Sequence, residues 1–208
     1  MRIDLIGCVL ELSVRDLIPD VDQVDPFLPS GRLLHGRLLL ERGRLEEVVE
    51  ILTPALATAP EAMAIDVRKV MARALLELGR PAEAVGLLER YGIGAATALL
   101  LSRALFENGS PERAQSMLAP LARQMAAASS QSTPADSGLV AAVGAQYGLV
   151  LHTLGDSQAA LPFLQLAVRV DPENRIAWHT LGHALAAVGR RQEALDALAE
   201  AQRLLRPQ

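Results

Sequence analysis

The stretch Trp178–Gly189 reads WHTLGHALAAVG. Two patterns compete in it. His179 and His183 are four residues apart, close to one helical turn, and two imidazoles so placed can ligate zinc. Trp178, Leu181, Gly182 and Leu185 fall at the three- and four-residue intervals of one helix face, and Gly189 ends the run. If the second pattern recurs along the chain, it decides the fold. The histidines then occupy the surface that the packing residues leave over.

The pattern recurs around five glycines: Gly43, Gly79, Gly109, Gly155 and Gly189. Four residues before each stands Leu39, Leu75, Leu105, Leu151 or Leu185. Nine residues after each stands Leu52, Leu88, Leu118, Leu164 or Leu198, and five after each Val48, Ala84, Ala114, Ala160 or Ala194. Seven before each the residue is small: Gly36, Ala72, Ser102, Gly148 and Gly182. One such column could arise by chance in a chain rich in Leu and Ala; four in one frame do not.

Each glycine separates two apolar-periodic segments, as in a helix–turn–helix. A small residue lets a neighbouring helix cross closely, and the leucine three residues on packs on the same face. The glycine lets the backbone take positive φ and stop the helix. Such a hairpin cannot bury its apolar face alone, but stacked hairpins bury a continuous core. The expected class is all-α, with about five antiparallel hairpins.

Composition agrees. Half of the 208 residues are apolar but only 3% are aromatic, so the core rests on Ala and Leu. The net charge of −4 gives no global case for nucleic-acid binding. Lys69 is the only lysine, an arginine skew typical of GC-rich bacterial genomes. Cys8 is the only cysteine, which excludes an intrachain disulfide and a Cys-based zinc site, and a cytoplasmic location is expected. Leu5–Cys8 (LIGC) is like a lipoprotein cleavage box, but only seven residues precede Cys8 and Asp4 interrupts them. Gly138–Gly155 is apolar but short and holds Gln146 and His152, so a buried helix is expected there and no membrane span.

In its last unit the chain resembles the tetratricopeptide repeat family. Trp178, Leu181 and Gly182 follow its W-x2-L-G spacing, Leu185 stands where Tyr is usual, and Ala194, Leu198 and Ala201 follow its second-helix pattern. The unit before supplies Tyr147, Gly148, Leu151, Ala160, Leu164, Ala167 and Pro172, and Gly155 to Gly189 spans the family's 34-residue period. Pro60 closes the first unit in the same manner. The earlier glycines are 36, 30 and 46 residues apart. The resemblance covers about 29–125 and 137–208 and implies a right-handed superhelix, an α-solenoid.

Outside the repeats, residues 1–28 are expected to form a helix, with Ile3, Ile6, Leu10, Val14 and Leu17 on one stripe, and then a solvated acidic connector holding Asp20, Asp22 and Asp25. A calcium loop is not expected there, because no glycine and no terminal Glu complete the ligand set. Residues 126–140, rich in Ser, Thr, Pro, Asp and Gly, read as a flexible insert that divides repeats 1–3 (29–125) from repeats 4–5 (141–208).

The resemblance also implies that the first helix of each hairpin lines a concave groove. The residues six before each loop glycine are Arg37, Arg73, Arg103, Leu149 and His183; those ten before include Lys69 and His179. Arg37, Lys69, Arg73 and Arg103 are a candidate basic ladder for the carboxylates of an extended or helical peptide. The bland alternative is a self-neutralised face, since Glu41, Glu77 and Glu107 each stand four residues after an arginine of the ladder. Relatives that clamp a partner's C-terminus use Lys and Asn, and the expected asparagines are missing here. His179 and His183 lack a third ligand in sequence, so no metal is expected; a groove-lining or hydrogen-bonded pair is. No nucleophile motif, phosphate loop or acid pair is present, so neither enzyme activity nor a cofactor is expected.

The expected function is that of an adaptor, scaffold or co-chaperone-like protein holding a protein or peptide segment. The alternative is an assembly or carrier subunit, secretion-chaperone-like, acting through the ends of the stack. The last helix carries Leu195, Leu198, Leu204 and Leu205 with no later segment to cap it, so homodimerisation through that end is expected.

Overall fold

A computed structural model describes residues 28–89, 94–128 and 137–205. The N-terminal helix and acidic connector expected over 1–27, with Cys8, lie outside these residues. Ten helices and no strand occur among the described residues. Contacts divide the chain between Gly109 and Ser110 into two compact units. The first holds α1 (Pro29–Glu41), α2 (Leu45–Thr58), α3 (Glu61–Glu77), α4 (Pro81–Leu88) and α5 (Ala95–Glu107). The second holds α6 (Pro111–Ala128), α7 (Ser137–Thr153), α8 (Ser157–Val170), α9 (Arg175–Ala187) and α10 (Arg191–Arg203).

Each unit is a stack in which helices touch their chain neighbours and the element two away. In the first unit α1 packs on α3 and α3 on α5, so the first helices of successive hairpins form one layer; in the second, α7 packs on α9 in the same way. This is the helix-pair stacking of an α-solenoid.

The turns are built as the glycine frame requires. Gly43, Gly79, Gly109, Gly155 and Gly189 are the residues with positive φ, between 69° and 88°, among those described. A side chain there would meet the following carbonyl, so a non-glycine residue is disfavoured by about 1–2 kcal/mol. The N–H groups of Arg44, Arg80, Asp156 and Arg190 donate to the carbonyls of Leu39, Leu75, Leu151 and Leu185, while Gly43, Gly79, Gly155 and Gly189 donate to the residues after those leucines. This is the Schellman closure. The leucine four before each of these glycines therefore both packs in the core and accepts the turn's outer hydrogen bond. Arg44, Arg80 and Arg190 next clip the new helix by paired hydrogen bonds to Glu47, Glu83 and Glu193.

The columns of small residues and leucines meet each other. A Cβ added at Gly36 would lie 2.9 Å from Leu52, at Gly148 2.5 Å from Leu164, and at Gly182 2.6 Å from Leu198. Leu52 and Leu164 are fully buried. Burying such a side chain contributes about 1.5–3 kcal/mol, and here that requires the facing residue to have no side chain. Around Leu52 the first hairpins share one core: Leu39, Val48, Ala55, Val67, Val70, Met71 and Ala74. In the second unit Tyr147 meets Phe163 edge to face, with ring centroids 4.8 Å apart. Trp178 Nε1 donates to the Pro172 carbonyl at 2.9 Å, which ties the junction between α8 and α9 to the first turn of α9.

Two lengths differ from a regular repeat. The helix α4 has 8 residues where α2 has 14, which accounts for the short spacing from Gly79 to Gly109. The expected insert at 126–140 is trimmed by helix on both sides, α6 running to Ala128 and α7 starting at Ser137, because Ala126–Ala128 are strong helix formers. Its centre, 129–136, lies outside the described residues. None of the helices described is long and apolar enough to cross a membrane.

Candidate functional site

In the first unit, α1, α3 and α5 present Arg37, Lys69, Arg73 and Arg103, all half-buried. Their charges pair both within a helix and between helices. Lys69 Nζ lies 2.6 Å from Asp66 Oδ1, and Arg37 Nη2 lies 3.9 Å from Asp66 Oδ2. The first is a hydrogen-bonded ion pair, the second a charge contact beyond hydrogen-bond range. Asp66 thus stands between a cation of its own helix and one of α1. Of the three arginine–glutamate pairs of the alternative reading, Arg103–Glu107 forms, with Nε 2.7 Å from Oε1. Arg37 turns to Asp66 across the helix layer instead of to Glu41. Arg73 makes no pair with Glu77 and has no ion-pair or hydrogen-bond partner among the described residues. Pairs this exposed are worth about 0–1 kcal/mol each, so a ligand carboxylate can compete for the cations.

Asp66 was not among the sequence candidates. Its signal was available: it lies three residues before Lys69, but only adjacency of α1 and α3 reveals its second partner.

In the second unit, α7 and α9 carry the other candidates. Leu149 is half-buried, and His179 and His183 are exposed. The two histidines face each other with Nε2 atoms 3.3 Å apart and ring centroids 4.5 Å apart. One imidazole donates and the other accepts, which requires at least one neutral ring. Among the described residues no group of three or more His, Cys, Asp or Glu could hold a metal ion. His152 on α7 bonds through Nδ1 to Ser157 Oγ at 2.8 Å. Burial, and then the charge on His183, hold its pKa below the ordinary imidazole value.

At the far end of this unit, Leu195 and Leu205 are 62% and 61% exposed, while Leu198 and Leu204 are half-buried. Leu198 is partly withdrawn because it covers Gly182.

Glycine-closed hairpins, small residues facing leucines and a layer of first helices define a solenoid of the tetratricopeptide type. Residues 39–93 match the tetratricopeptide repeat family model. Residues 114–208 match the model of the bacterial transcriptional activator domain. No curated protein matches the chain. Among solved structures, MamA is 17% identical, with 81% of this chain and 93% of MamA covered and a TM-score of 0.60. YrrB, described as a TPR protein with an unusual peptide-binding site, is 18% identical, with 93% and 92% covered and a TM-score of 0.58. TTC0263, a thermophilic TPR protein of Thermus thermophilus, is 22% identical, with 85% and 91% covered and a TM-score of 0.62. At these identities the likeness concerns the fold.

Proposed function

We propose that the protein is a non-enzymatic adaptor or scaffold, cytoplasmic and of bacterial type, that holds a segment of a partner protein on the faces of its first helices. One contact face is Arg37, Lys69, Arg73 and Arg103 on α1, α3 and α5. The other is Leu149, His179 and His183 on α7 and α9. The observation that carries the reading is the Arg37–Asp66–Lys69 cluster, which joins α1 and α3 into one polarised surface of half-buried cations. Long cations held by weak pairs exchange internal for external carboxylates at small cost. The peptide-binding site ascribed to YrrB supports the same use of the fold. The test is capture of partners from a lysate with mass spectrometry, repeated with Arg73→Glu and Arg103→Glu together. Loss of the captured partner supports the reading; unchanged capture removes it.

A second reading is favoured by the exposed Leu195 and Leu205 and by the match over 114–208 to the bacterial transcriptional activator domain. In it the unit beginning at Ser110 assembles with a second copy, or with a component of the transcription machinery, through α10. Light scattering over a concentration series decides: dimers abolished by Leu195→Glu support it, and a strict monomer ends the homodimer.

A further inference from the structure

The charge pairing of α1 with α3 supplies a template for what belongs between α3 and α5. Arg37 is six residues before Gly43, and its counter-charge is Asp66, thirteen before Gly79. Arg73 is six before Gly79; the equivalent residue, thirteen before Gly109, is Ala96. The helix pairs correspond, since α3 packs on α5 as α1 packs on α3. The short α4 does not disturb the frame, because both positions are counted back from the glycine that ends their own helix. Where the first interval has a carboxylate, the second has a methyl group. The first turn of α5 holds no acidic residue, and Arg73 has neither an ion pair nor a hydrogen bond among the described residues. Leu99 stands where Lys69 stands in α3, so no second cation competes for an anion there.

We infer that a Glu or Asp side chain of the partner segment sits beside Arg73 over Ala96, in the place that Asp66 holds beside Arg37. This rests on the first-helix face as the binding surface and adds the chemistry of its ligand. The partner supplies the carboxylate that the repeat omits in its second interval, and Arg73 is the residue that selects for it. A charge-assisted bond to a guanidinium is roughly twice as strong as a neutral one, so the selection is for charge and not only for shape. Asp66 plays the complementary part: by occupying Arg37 and Lys69 it keeps the neighbouring interval closed to a second acid.

The probe is a fluorescein-labelled, C-terminally amidated peptide of alternating Glu and Ala, followed by fluorescence anisotropy. Ala96→Asp provides the missing carboxylate internally and is expected to weaken binding about tenfold or more. Ala96→Asn has nearly the same shape without the charge and is expected to bind within about twofold of the parent. Asp66→Ala opens the first interval and is expected to strengthen binding. An aspartate in the first turn of α5 favours the helix, so Ala96→Asp is expected to fold, and circular dichroism verifies it. Three results overturn the inference: Ala96→Asp binding as the parent does, a Gln–Ala peptide binding as tightly as the Glu–Ala peptide, or binding only when the peptide's C-terminus is a free carboxylate. If Ala96→Asp is silent while Arg73→Glu with Arg103→Glu abolishes binding, the carboxylate position fails and the face survives. If both are silent, the face fails as well.

Discussion

The clearest test of the packing argument is Gly148→Ala. The added methyl would stand 2.5 Å from Leu164 Cγ, 2.7 Å from Cδ2 and 3.3 Å from Cδ1. Ordinary contact begins near 3.4 Å, so the closest approach is short by 0.9 Å (3.4 − 2.5). Leu164 is fully buried and cannot swing into solvent. Overpacking of this kind costs about 1–3 kcal/mol. Replacing a mid-helix glycine by alanine returns about 0.5–1 kcal/mol, so the net loss is expected to be about 0–2.5 kcal/mol, nearer the upper end for an approach this close. Gly86, inside α4, is the control: a Cβ there meets nothing within 4 Å, so Gly86→Ala keeps only the gain. Urea denaturation followed by circular dichroism should move the two midpoints in opposite directions with the slope unchanged. A further cycle sharpens the point. Leu164→Ala alone costs about 2–5 kcal/mol, and Gly148→Ala in that background should be neutral or stabilising, because the methyl enters vacated space. If Gly148→Ala raises the midpoint as Gly86→Ala does, the close crossing is not what selects glycine there, and the column of small residues needs another explanation.

Three other outcomes are expected. Gly155→Ala, at φ +88° with open space around the Cβ, should destabilise by about 1–2 kcal/mol through backbone strain alone, read as a lower denaturation midpoint. Trp178→Phe keeps the ring but loses the bond from Nε1 to the Pro172 carbonyl, and thermal unfolding should report a loss of about 0.5–1.5 kcal/mol. His152 has a folded-state pKa lowered by burial and by His183, so the folded state binds fewer protons than the unfolded one in the interval below the ordinary imidazole value. Its contribution to stability is present above that value and is lost as pH falls through the lowered one. In an NMR titration, His183→Ala should raise the His152 pKa, and no movement would remove His183 as a cause.

The frame of the fold was legible because its constraints are local. A glycine at positive φ, a leucine whose carbonyl receives the turn, and a small residue opposite a leucine each leave a fixed offset in the sequence, and all five turn glycines are where the offsets place them. The candidate faces were legible by residue but not by partner. Spacing along one helix nominated Glu41 for Arg37, whereas the nearer charge came from α3, one hairpin further on. Intrahelical pairs can be counted from sequence; a contact between successive first helices needs their lateral register. For the same reason spacing does not single out Asp66, and the Arg73–Glu77 pair of the alternative reading does not form. The histidines were placed on the surface remaining after packing, but spacing alone could not show that His179 and His183 bond to each other or that His152 is bound to Ser157. The boundary between compact units also escaped composition: it falls at Gly109 and Ser110, inside a hairpin turn, not at the Ser- and Thr-rich segment.

Among the described residues, helices within each unit meet only elements one or two places along the chain. A hairpin can therefore be copied, lost or shortened in a lineage without rewiring the remainder, and the clipped α4 shows how much trimming a single step of the stack absorbs. Because its connections are so short-ranged, such an array should tolerate changes in repeat number far better than substitutions at the two facing columns, small residue and Leu, on which every copy depends.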